Sequence, residues 1–168
     1  IPAFVYIFFR IHRHYRPVAA RLTLENYGEP PPFTGRHRII VPVSNMHQGV
    51  LAALRYARKL SDDITAVHVA MDSADTEKLQ VKWDRWGQGT RLVIVDSPYR
   101  LFLEPLLDYL EEVIATRQPN ETITIVVPQF VPAKRVFNAL HFQTAELLRK
   151  QLLTQPGVVV TDVPYQIP

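Results

Sequence analysis

The residues of this sequence that are equipped for chemistry gather in short polar stretches, each of which follows a β-rich run. They supply hydroxyls, amides, an arginine and aromatic rings, and they are Ser44-Asn45-Met46-His47, Met71-Asp72, Ser97-Pro98-Tyr99-Arg100 and Pro128-Gln129-Phe130-Val131-Pro132. Aromatic and amide groups hold a base by stacking and hydrogen bonding, whereas arginine, backbone N–H groups and helix N-termini hold a phosphate. The stretches therefore predict binding of a ligand that carries a base and a phosphate.

Arg100 is the most specific candidate in these stretches because the pattern places it at the start of a helix. The helix dipole disfavours a cation there unless an anion compensates it, so we expect Arg100 to bind an anion. Ser97 and Pro98 have a simpler interpretation, since a serine N-cap followed by proline at the first helical position needs no ligand. Helix capping alone stays open as the alternative for this stretch.

Catalytic and metal-binding constellations are thin in this sequence. The histidines form no HExxH motif, and the chain has no cysteine to act as a nucleophile or to complete a zinc site. The G-x-S-x-G, Walker A and G-x-G-x-x-G motifs are also missing. We expect no enzymatic activity, no metal site and no required cofactor.

Several residues of reactive type have structural interpretations. His68 lies inside an apolar run, and we expect it in the core or at the edge of a site. Glu111 and Glu112 are neighbours on a predicted helix, and since adjacent helical residues do not face one another we expect them on its solvated side. Asp62 and Asp63 precede a strand and are typical of a turn.

The element that must position the first polar stretch runs from Arg38 to Arg58. It passes from an apolar segment, residues 39–43, through Ser44 and Asn45 into a helical pattern. This order is typical of a buried parallel strand that feeds a crossover helix. The turn of such a unit lies at the carboxyl edge of the sheet, where open α/β folds bind their ligands.

The same alternation repeats along the chain without a hairpin signal. Predicted strands cover residues 37–43, 64–70, 90–95, 121–127 and 157–163, and predicted helices cover residues 47–60, 73–86, 100–116 and 136–153. Helix caps are expected at Ser44 or Asn45, at Ser73 and at Ser97. The pattern predicts an α/β fold with a doubly wound, five-stranded parallel sheet and right-handed crossovers, and it leaves the strand order open.

The N-terminal part has a different character. An apolar run at residues 1–9 is followed by a basic cluster, and residues 2–27 are predicted to be mainly helical. An aromatic, apolar end before such a cluster is typical of a transmembrane helix that leaves the membrane on the cytoplasmic side. An amphipathic helix that lies on a membrane surface or on a partner is the alternative.

Gly28 and the prolines that follow it predict a stiff, extended spacer. This spacer suggests a helical extension at residues 1–35 and a folded domain at residues 36–168. Much of the net charge of +3 lies in the N-terminal basic cluster rather than across the folded domain. We therefore expect no nucleic-acid partner.

Longer stretches resemble a known family. The βα alternation together with IIVPVSNMHQGVLAALRYAR and DDITAVHVAMD resembles a universal-stress-protein-like domain, of the adenine nucleotide alpha hydrolase-like kind. The cytosolic C-terminal region of bacterial APC-superfamily permeases, a group with amino acid permeases and KUP-type potassium importers, is similar to WDRWGQGTRLVIVDSPYRLFLEPLLDYLEE, ITIVVPQFVPAKR, HFQTAELLRKQL and GVVVTDVPY. The resemblance covers Arg36 to Tyr165, and the N-terminal piece resembles the exit of the last transmembrane helix with its linker.

This resemblance implies a regulatory domain on the cytoplasmic face of the cell membrane. It implies a homodimer, a transmembrane transporter domain in the same chain, and an adenine nucleotide ligand. In the potassium importers that ligand is cyclic di-AMP, which inhibits transport. ATP-binding universal stress proteins carry an Asp after the first strand and a G-x2-G-x9-G-(S/T) loop after the fourth. This sequence has Ser44 at the first place and only Gln143-Thr144 similar at the second, which favours cyclic di-AMP over ATP.

The ligand-binding residues expected at the carboxyl edge share a place after, or at the end of, a predicted strand or at the start of the fourth predicted helix. They are Val43, Ser44 and Asn45 (pocket floor and polar turn), Ala66 and His68 (adenine wall), Tyr99 and Arg100 (stacking and phosphate), Gln129 (edge turn), and His141 and Thr144 (phosphate end). Other classes stay open: a ligand-free dimerisation module built on Val158–Val160, an ATP- or AMP-binding stress protein, and a nucleotide hydrolase.

Overall fold

The computed structural model of the chain describes residues 2–23, 28–29, 35–131, 142–152 and 155–166. The chain divides into two compact units, residues 1–33 and 34–168. The first unit contains helix α1, Pro2–Leu22, which confirms the helical prediction over that range. The expected Pro-rich spacer at residues 30–32 lies outside the described residues.

Helix α1 carries large apolar side chains that are exposed. Phe4, Phe8 and Phe9 each expose about 70% of their surface, and Arg10 and Arg13 on the following turn are exposed as well. None of the described helices is both long enough and apolar enough to cross a bilayer. The membrane-exit interpretation of this segment therefore stays a prediction.

The second unit alternates strands and helices as predicted. Its strands are β1 (His37–Pro42), β2 (Asp63–Ala70), β3 (Arg91–Asp96), β4 (Thr122–Val131) and β5 (Val158–Gln166), and its helices are α2 (Gln48–Leu60), α3 (Ser73–Trp86), α4 (Leu103–Ala115) and α5 (Phe142–Leu152). Every described strand pairing is parallel, and the strand order is β3-β2-β1-β4-β5. The predicted doubly wound, five-stranded parallel sheet is confirmed.

Alternate residues of the buried strands serve two separate cores. Ile39 and Val41 of β1 pack with α2 and α3 on one face, and Ile40 packs with α4 and α5 on the other. Because successive side chains of a strand point to opposite faces, a strand buried on both faces is a continuous apolar run. This is why residues 39–43 were recognisable as a central strand.

The pairing of β1 with β4 stops before the carboxyl edge of the sheet. Their pairing ends at Ile40 and Ile125, although β4 continues along β5 to Val131. Thr122 N–H donates to the Arg36 carbonyl of the β1 side, so the even-numbered residues of β4 point their backbone groups toward β1. Pro42 and Pro128 both fall on this shared side and have no N–H to donate.

The amino edge of the same sheet is held by charges. The Glu121 side chain is fully buried, and Arg38 Nη2 lies 3.1 Å from its Oε1. The Gln118 N–H donates to Oε2 of Glu121 at 2.7 Å, whereas Oε1 has no aligned hydrogen bond among the described residues. Arg36 Nε donates to Asp63 Oδ2 at 2.9 Å beside this pair. These contacts join the starts of β1, β2 and β4.

The predicted helix caps need correction. Helix α2 is capped by His47, whose Nδ1 accepts from Val50 N–H at 3.2 Å, rather than by Ser44 or Asn45. Helix α3 is capped by Asp72, one residue before the predicted Ser73, because its carboxylate reaches the Ala74 N–H at 2.8 Å. In both cases the capping side chain is the one whose acceptor meets a free N–H of the first turn.

Helix α4 begins at Leu103, so the expected helix start at Ser97 and Arg100 is wrong. Ser97 instead opens a turn closed by a hydrogen bond from Arg100 N–H to its carbonyl, at 3.0 Å. The Ser97 hydroxyl donates to the Leu101 carbonyl at 2.6 Å, and its oxygen is therefore not used as a cap. Proline at the second position favours such a turn as strongly as it favours a first helical turn.

Candidate functional site

The carboxyl edge of the sheet is the candidate site. The topological switch point, where consecutive connections leave the sheet in opposite directions, lies between β1 and β4 in this strand order. The pairing of β1 with β4 ends just before this edge, at Ile40 and Ile125, and Pro42 and Pro128 beyond it have no N–H to donate. The first polar stretch therefore follows the place where the β1–β4 ladder of hydrogen bonds stops.

The turn after β1 has a buried floor and an exposed rim. Val43 is buried, and its N–H donates to the Val67 carbonyl at 2.8 Å. Ser44 and Asn45 are exposed, and the Asn45 side-chain oxygen accepts from Met46 N–H at 2.7 Å. The predicted order of floor and polar turn matches this geometry, and the ligand contacts themselves stay predicted.

His47 adds an acceptor at the start of α2. It is half-buried, and this burial lowers the pKa of its imidazole below the ordinary 6.5. The neutral ring is the form that accepts from Val50 N–H, and a cation is also disfavoured at a helix N-terminus. The polar stretch in the sequence contained this residue, but nothing in the pattern distinguished it from Ser44 as the cap.

His68 is buried, with 5% of its surface exposed, and both of its ring nitrogens meet protein groups. Nδ1 lies 2.9 Å from the Val43 carbonyl, which only accepts, so Nδ1 carries the proton. Nε2 lies 3.3 Å from the Thr76 hydroxyl, which also lies 2.8 Å from the Asp72 carbonyl. His68 thus ties the end of β1 to the start of α3 and positions the turn at Val43.

Ala66, the other residue expected in an adenine wall, is fully buried in the core between β1 and the helices α2 and α3. It pairs with Val41 in register, below the level at which β1 ends. The structure does not bring Ala66 to the surface of the edge, and its part in the wall stays a prediction.

The turn after β3 carries the most exposed candidates. Tyr99 exposes 86% of its surface, and Arg100 is exposed beside it. The backbone of Arg100 has φ of +56°, a left-handed conformation that costs an L-residue roughly 1–2 kcal/mol. The aromatic side chain of Tyr99 and the charged side chain of Arg100 are therefore exposed on a turn, not at a helix start.

The remaining predicted residues are only partly within the described chain. Gln129 is half-buried on β4 and pairs in register with Pro164 of β5. His141 lies outside the described residues, and Thr144 lies in α5 with its side chain outside the description. The predicted edge turn at Gln129 is wrong, because residues 128–131 continue β4 and pair with β5. The structure therefore brings the stretches after β1 and β3 and the end of β4 to one edge, and leaves the phosphate end predicted at His141 and Thr144 open.

A contact that the sequence gave no signal for links α2 to the last strand. The Tyr165 hydroxyl donates to the Gln48 side-chain oxygen, joining β5 to the first turn of α2. Tyr165 lies near the end of β5 and Gln48 begins the helix that follows β1, and β4 lies between β1 and β5 in the sheet. This contact closes the switch point on the face that α2 covers.

The described residues contain no group of three or more histidine or carboxylate side chains placed to hold a metal ion. The polar groups at this edge are hydroxyls, amides, a neutral imidazole and a guanidinium, together with the carboxylate of Asp72, which caps α3, and that of Asp96 at the end of β3. Such a set can hydrogen-bond a base and neutralise a phosphate.

Comparison with known proteins places this fold in context. The profile of the family described as "KimA potassium transporter C-terminal domain" matches residues 35–165. The potassium transporter KimA of Bacillus subtilis (strain 168) is 34% identical over 166 residues, which is 98% of this chain and 27% of that protein. The chain therefore spans about a quarter of the length of the curated relative it matches.

Proposed function

We propose, on the premise that this chain belongs to the family of KimA potassium transporter C-terminal domains, that it is the cytosolic regulatory domain of a membrane transporter. In this proposal the domain forms a homodimer and binds an adenine nucleotide, cyclic di-AMP, to control transport. The transported ion is potassium, as the name of the relative suggests. The domain lies on the cytoplasmic face of the cell membrane and catalyses no reaction.

The observation that carries the ligand proposal is the end of the β1–β4 pairing at the switch point. Open parallel sheets bind ligands at the carboxyl edge beside the switch point. In this chain the hydrogen-bond ladder stops there because Pro42 and Pro128 have no N–H to donate across it. The exposed polar turn at Ser44 and Asn45 follows directly, which supports binding at this edge.

The width of the edge supports a ligand with two base and phosphate units. The stretches at Arg100 and Gln129 follow or end β3 and β4, which are three strand spacings apart. At about 4.8 Å per spacing they are separated by roughly 14 Å. A dinucleotide can contact both, while a compact mononucleotide reaches one of them together with the central turn at Ser44.

Arg100 is the proposed phosphate ligand. It is exposed, and no described ion pair uses its guanidinium. Tyr99 beside it offers a ring for base stacking.

The edge strand β5 supports the dimer. It is nine residues long and has β4 as its sole neighbour in the described sheet. Val159 is 46% exposed along it. An edge of this length with no second strand beside it among the described residues pairs readily with another strand, and a second copy of the chain offers one. Val159→Lys should weaken self-association about tenfold, and the control Val81→Lys on exposed α3 should not change it.

Calorimetry with cyclic di-AMP, AMP, ATP and cyclic di-GMP tests the nucleotide proposal, and light scattering of the same samples tests the dimer. We expect heat from cyclic di-AMP, less from AMP and ATP, and little from cyclic di-GMP. A dimer that binds none of them at high micromolar concentration contradicts the ligand proposal. That result supports the ligand-free dimerisation module, the second class that β5 favours.

A further inference from the structure

A groove of about 550 Å³ follows helix α4 on the sheet face that α4 and α5 cover. Its floor is apolar and its rim carries polar side chains, and the lining residues are Leu101, Phe102, Leu103, Leu107, Leu147, Glu104, Asp108, Glu111 and Gln151. Leu101 and Leu147 are 47% and 48% exposed there. Leucine side chains left half in water at the two sides of one groove are typical of a surface that a partner covers.

The rim of this groove is acidic. Glu104, Asp108 and Glu111 follow one another at four and three residues along α4, so they form one stripe of the helix. A neighbouring hollow of about 380 Å³ shares Leu101, Glu104 and Asp108 and adds further carboxylates, Asp96 and Glu112. No lysine or arginine is among the described residues that line either cavity.

These carboxylates are not neutralised within the described chain. None of the ion pairs among the described residues uses Asp96, Glu104, Asp108, Glu111 or Glu112. Several carboxylates on one helix face produce a negative potential that attracts cations and steers a basic partner. Glu111 and Glu112 are exposed on α4, as predicted for the solvated side of a helix, and Glu111 also borders the groove.

We propose that this α4 groove docks a Lys/Arg-rich cytoplasmic loop of the transporter part of the protein. The inference rests on the proposed function, since it takes the chain to be one domain of a longer membrane protein. The curated relative has about three quarters of its length outside the region that this chain matches. Short cytoplasmic loops of membrane proteins carry an excess of lysine and arginine, which complements the acidic rim.

The apolar floor fits the same occupant. A loop segment that forms an amphipathic helix lays its apolar face in a groove and keeps its cations at the rim. The cytoplasmic leaflet is anionic and repels an acidic helix face, so a lipid surface is the poorer occupant. A second copy of the same face would bring like charges together, which disfavours a symmetric contact.

The groove is continuous with the proposed ligand edge through one turn. Leu101 lines both cavities, and its carbonyl accepts the hydroxyl of Ser97, the residue that opens the turn carrying Tyr99 and Arg100. A nucleotide that fixes Arg100 also fixes the position of Leu101. The docked loop therefore contacts the segment of this domain that the ligand orders.

Photo-cross-linking in the full-length transporter tests the docking. The cross-linkable residue p-benzoylphenylalanine replaces Leu107 on the floor, and in a control it replaces Val81, which is 72% exposed on α3. We expect position 107 to cross-link to a Lys/Arg-rich cytoplasmic loop and position 81 not to. Cross-links from position 107 to lipid, to a second copy of this domain or to residues 132–141 of its own chain each overturn the proposal.

Charge reversal in the same cross-linking variant separates an acidic docking site from a merely apolar one. Glu104→Lys, Asp108→Lys and Glu111→Lys together should lower the loop cross-link about tenfold, since exposed ion pairs contribute individually little and jointly a measurable amount. The matched control reverses Asp75, Glu77 and Asp84, which are exposed on α3. Equal yields from the two triple variants overturn the assignment of the rim.

Titration of both triple variants with cyclic di-AMP distinguishes a failure of the docking proposal from a failure of the ligand proposal. Loop cross-linking that persists in a protein without cyclic di-AMP affinity supports docking and contradicts the proposed ligand. Normal cyclic di-AMP affinity without any loop cross-link contradicts docking and leaves the proposed ligand supported.

Discussion

The two ends of the same parallel sheet use charged and polar residues in opposite ways. At the amino edge, the buried Glu121 is paired with Arg38 and is also held by a backbone N–H. At the carboxyl edge, Ser44 and Arg100 are exposed, and no described ion pair holds the arginine. At the amino edge the charged side chains join the strands, whereas at the carboxyl edge the Arg100 guanidinium is available to a ligand.

The difference has a physical origin in the strands themselves. At the amino edge, β1 pairs with both β2 and β4, and the Glu121 side chain at these strand starts is fully buried and needs a partner. At the carboxyl edge, Pro42 and Pro128 end the pairing of β1 with β4. The comparison therefore predicts that mutations at the amino edge lower stability and mutations at the carboxyl edge lower ligand affinity.

The largest effect is expected from Arg38→Ala at the amino edge. This change leaves the fully buried Glu121 carboxylate without its nearest cation, which should lower the free energy of unfolding by about 3 kcal/mol. The control Arg36→Ala removes a 57% exposed arginine that pairs with Asp63 and lies 4.0 Å from Glu121 Oε1, and it should cost under about 1 kcal/mol because Arg38 stays beside Glu121. Urea unfolding measures both, and equal losses would show that burial does not decide the value of these charges.

The next effect is expected from Arg100→Ala at the carboxyl edge. Loss of a charged hydrogen bond should weaken cyclic di-AMP binding by roughly 1.5–3 kcal/mol with little change in stability. Arg91→Ala is the matched control, because Arg91 begins the strand that Arg100 follows. Arg100→Gly should lose the same affinity while it relieves the left-handed backbone. Unchanged affinity in both variants assigns Arg100 to the turn alone.

The smallest effect is expected at His47, whose neutral imidazole caps α2 at the carboxyl edge. Burial lowers the pKa of this imidazole in the folded protein, so the unfolded chain takes up its proton first as the pH falls below 6.5. The contribution of His47 to stability is therefore full above 6.5 and is lost progressively as the pH falls toward the folded-state pKa.

His47→Asn keeps a good N-cap acceptor and removes the titrating ring, so this pH dependence should disappear. His47→Ala should cost about 1 kcal/mol at neutral pH through loss of the cap. Thermal unfolding between pH 5 and pH 8, the range in which a histidine titrates, measures both variants. A slope that survives in His47→Asn assigns the pH dependence to other groups.

The sequence predicted the elements better than the contacts between them. Residues 39–43 formed a continuous apolar run, and this local pattern was sufficient to predict a central strand, which the structure confirms. The strand order was not predictable, because it depends on which distant strands pair. Glu121 shows the same limit, since its burial follows from Arg38 and Gln118 meeting it in the fold.

The candidate site was predictable as a place and less so as a set of contacts. The polar stretches after β1 and β3 were visible because they interrupt the apolar pattern. The sequence Ser97-Pro98 was misleading, since the same pair opens a helix or a β-turn. In the structure Arg100 N–H donates to the Ser97 carbonyl and the Ser97 hydroxyl donates to the Leu101 carbonyl, which together form the turn. His68 was predicted to form part of the adenine wall; in the structure its Nδ1 meets the Val43 carbonyl and its Nε2 lies near the Thr76 hydroxyl, and the role in the wall stays a prediction.

Amide hydrogen exchange with and without cyclic di-AMP tests the central claim most directly, because it locates the ligand on one edge of the sheet. We predict slower exchange in the turn after β1, at residues 44–48, and in the turn after β3, at residues 97–101. Exchange at the amino edge, at residues 36–38 and 118–122, should not change. Protection confined to the amino edge, or no protection at either turn when the ligand is saturating, would contradict the account.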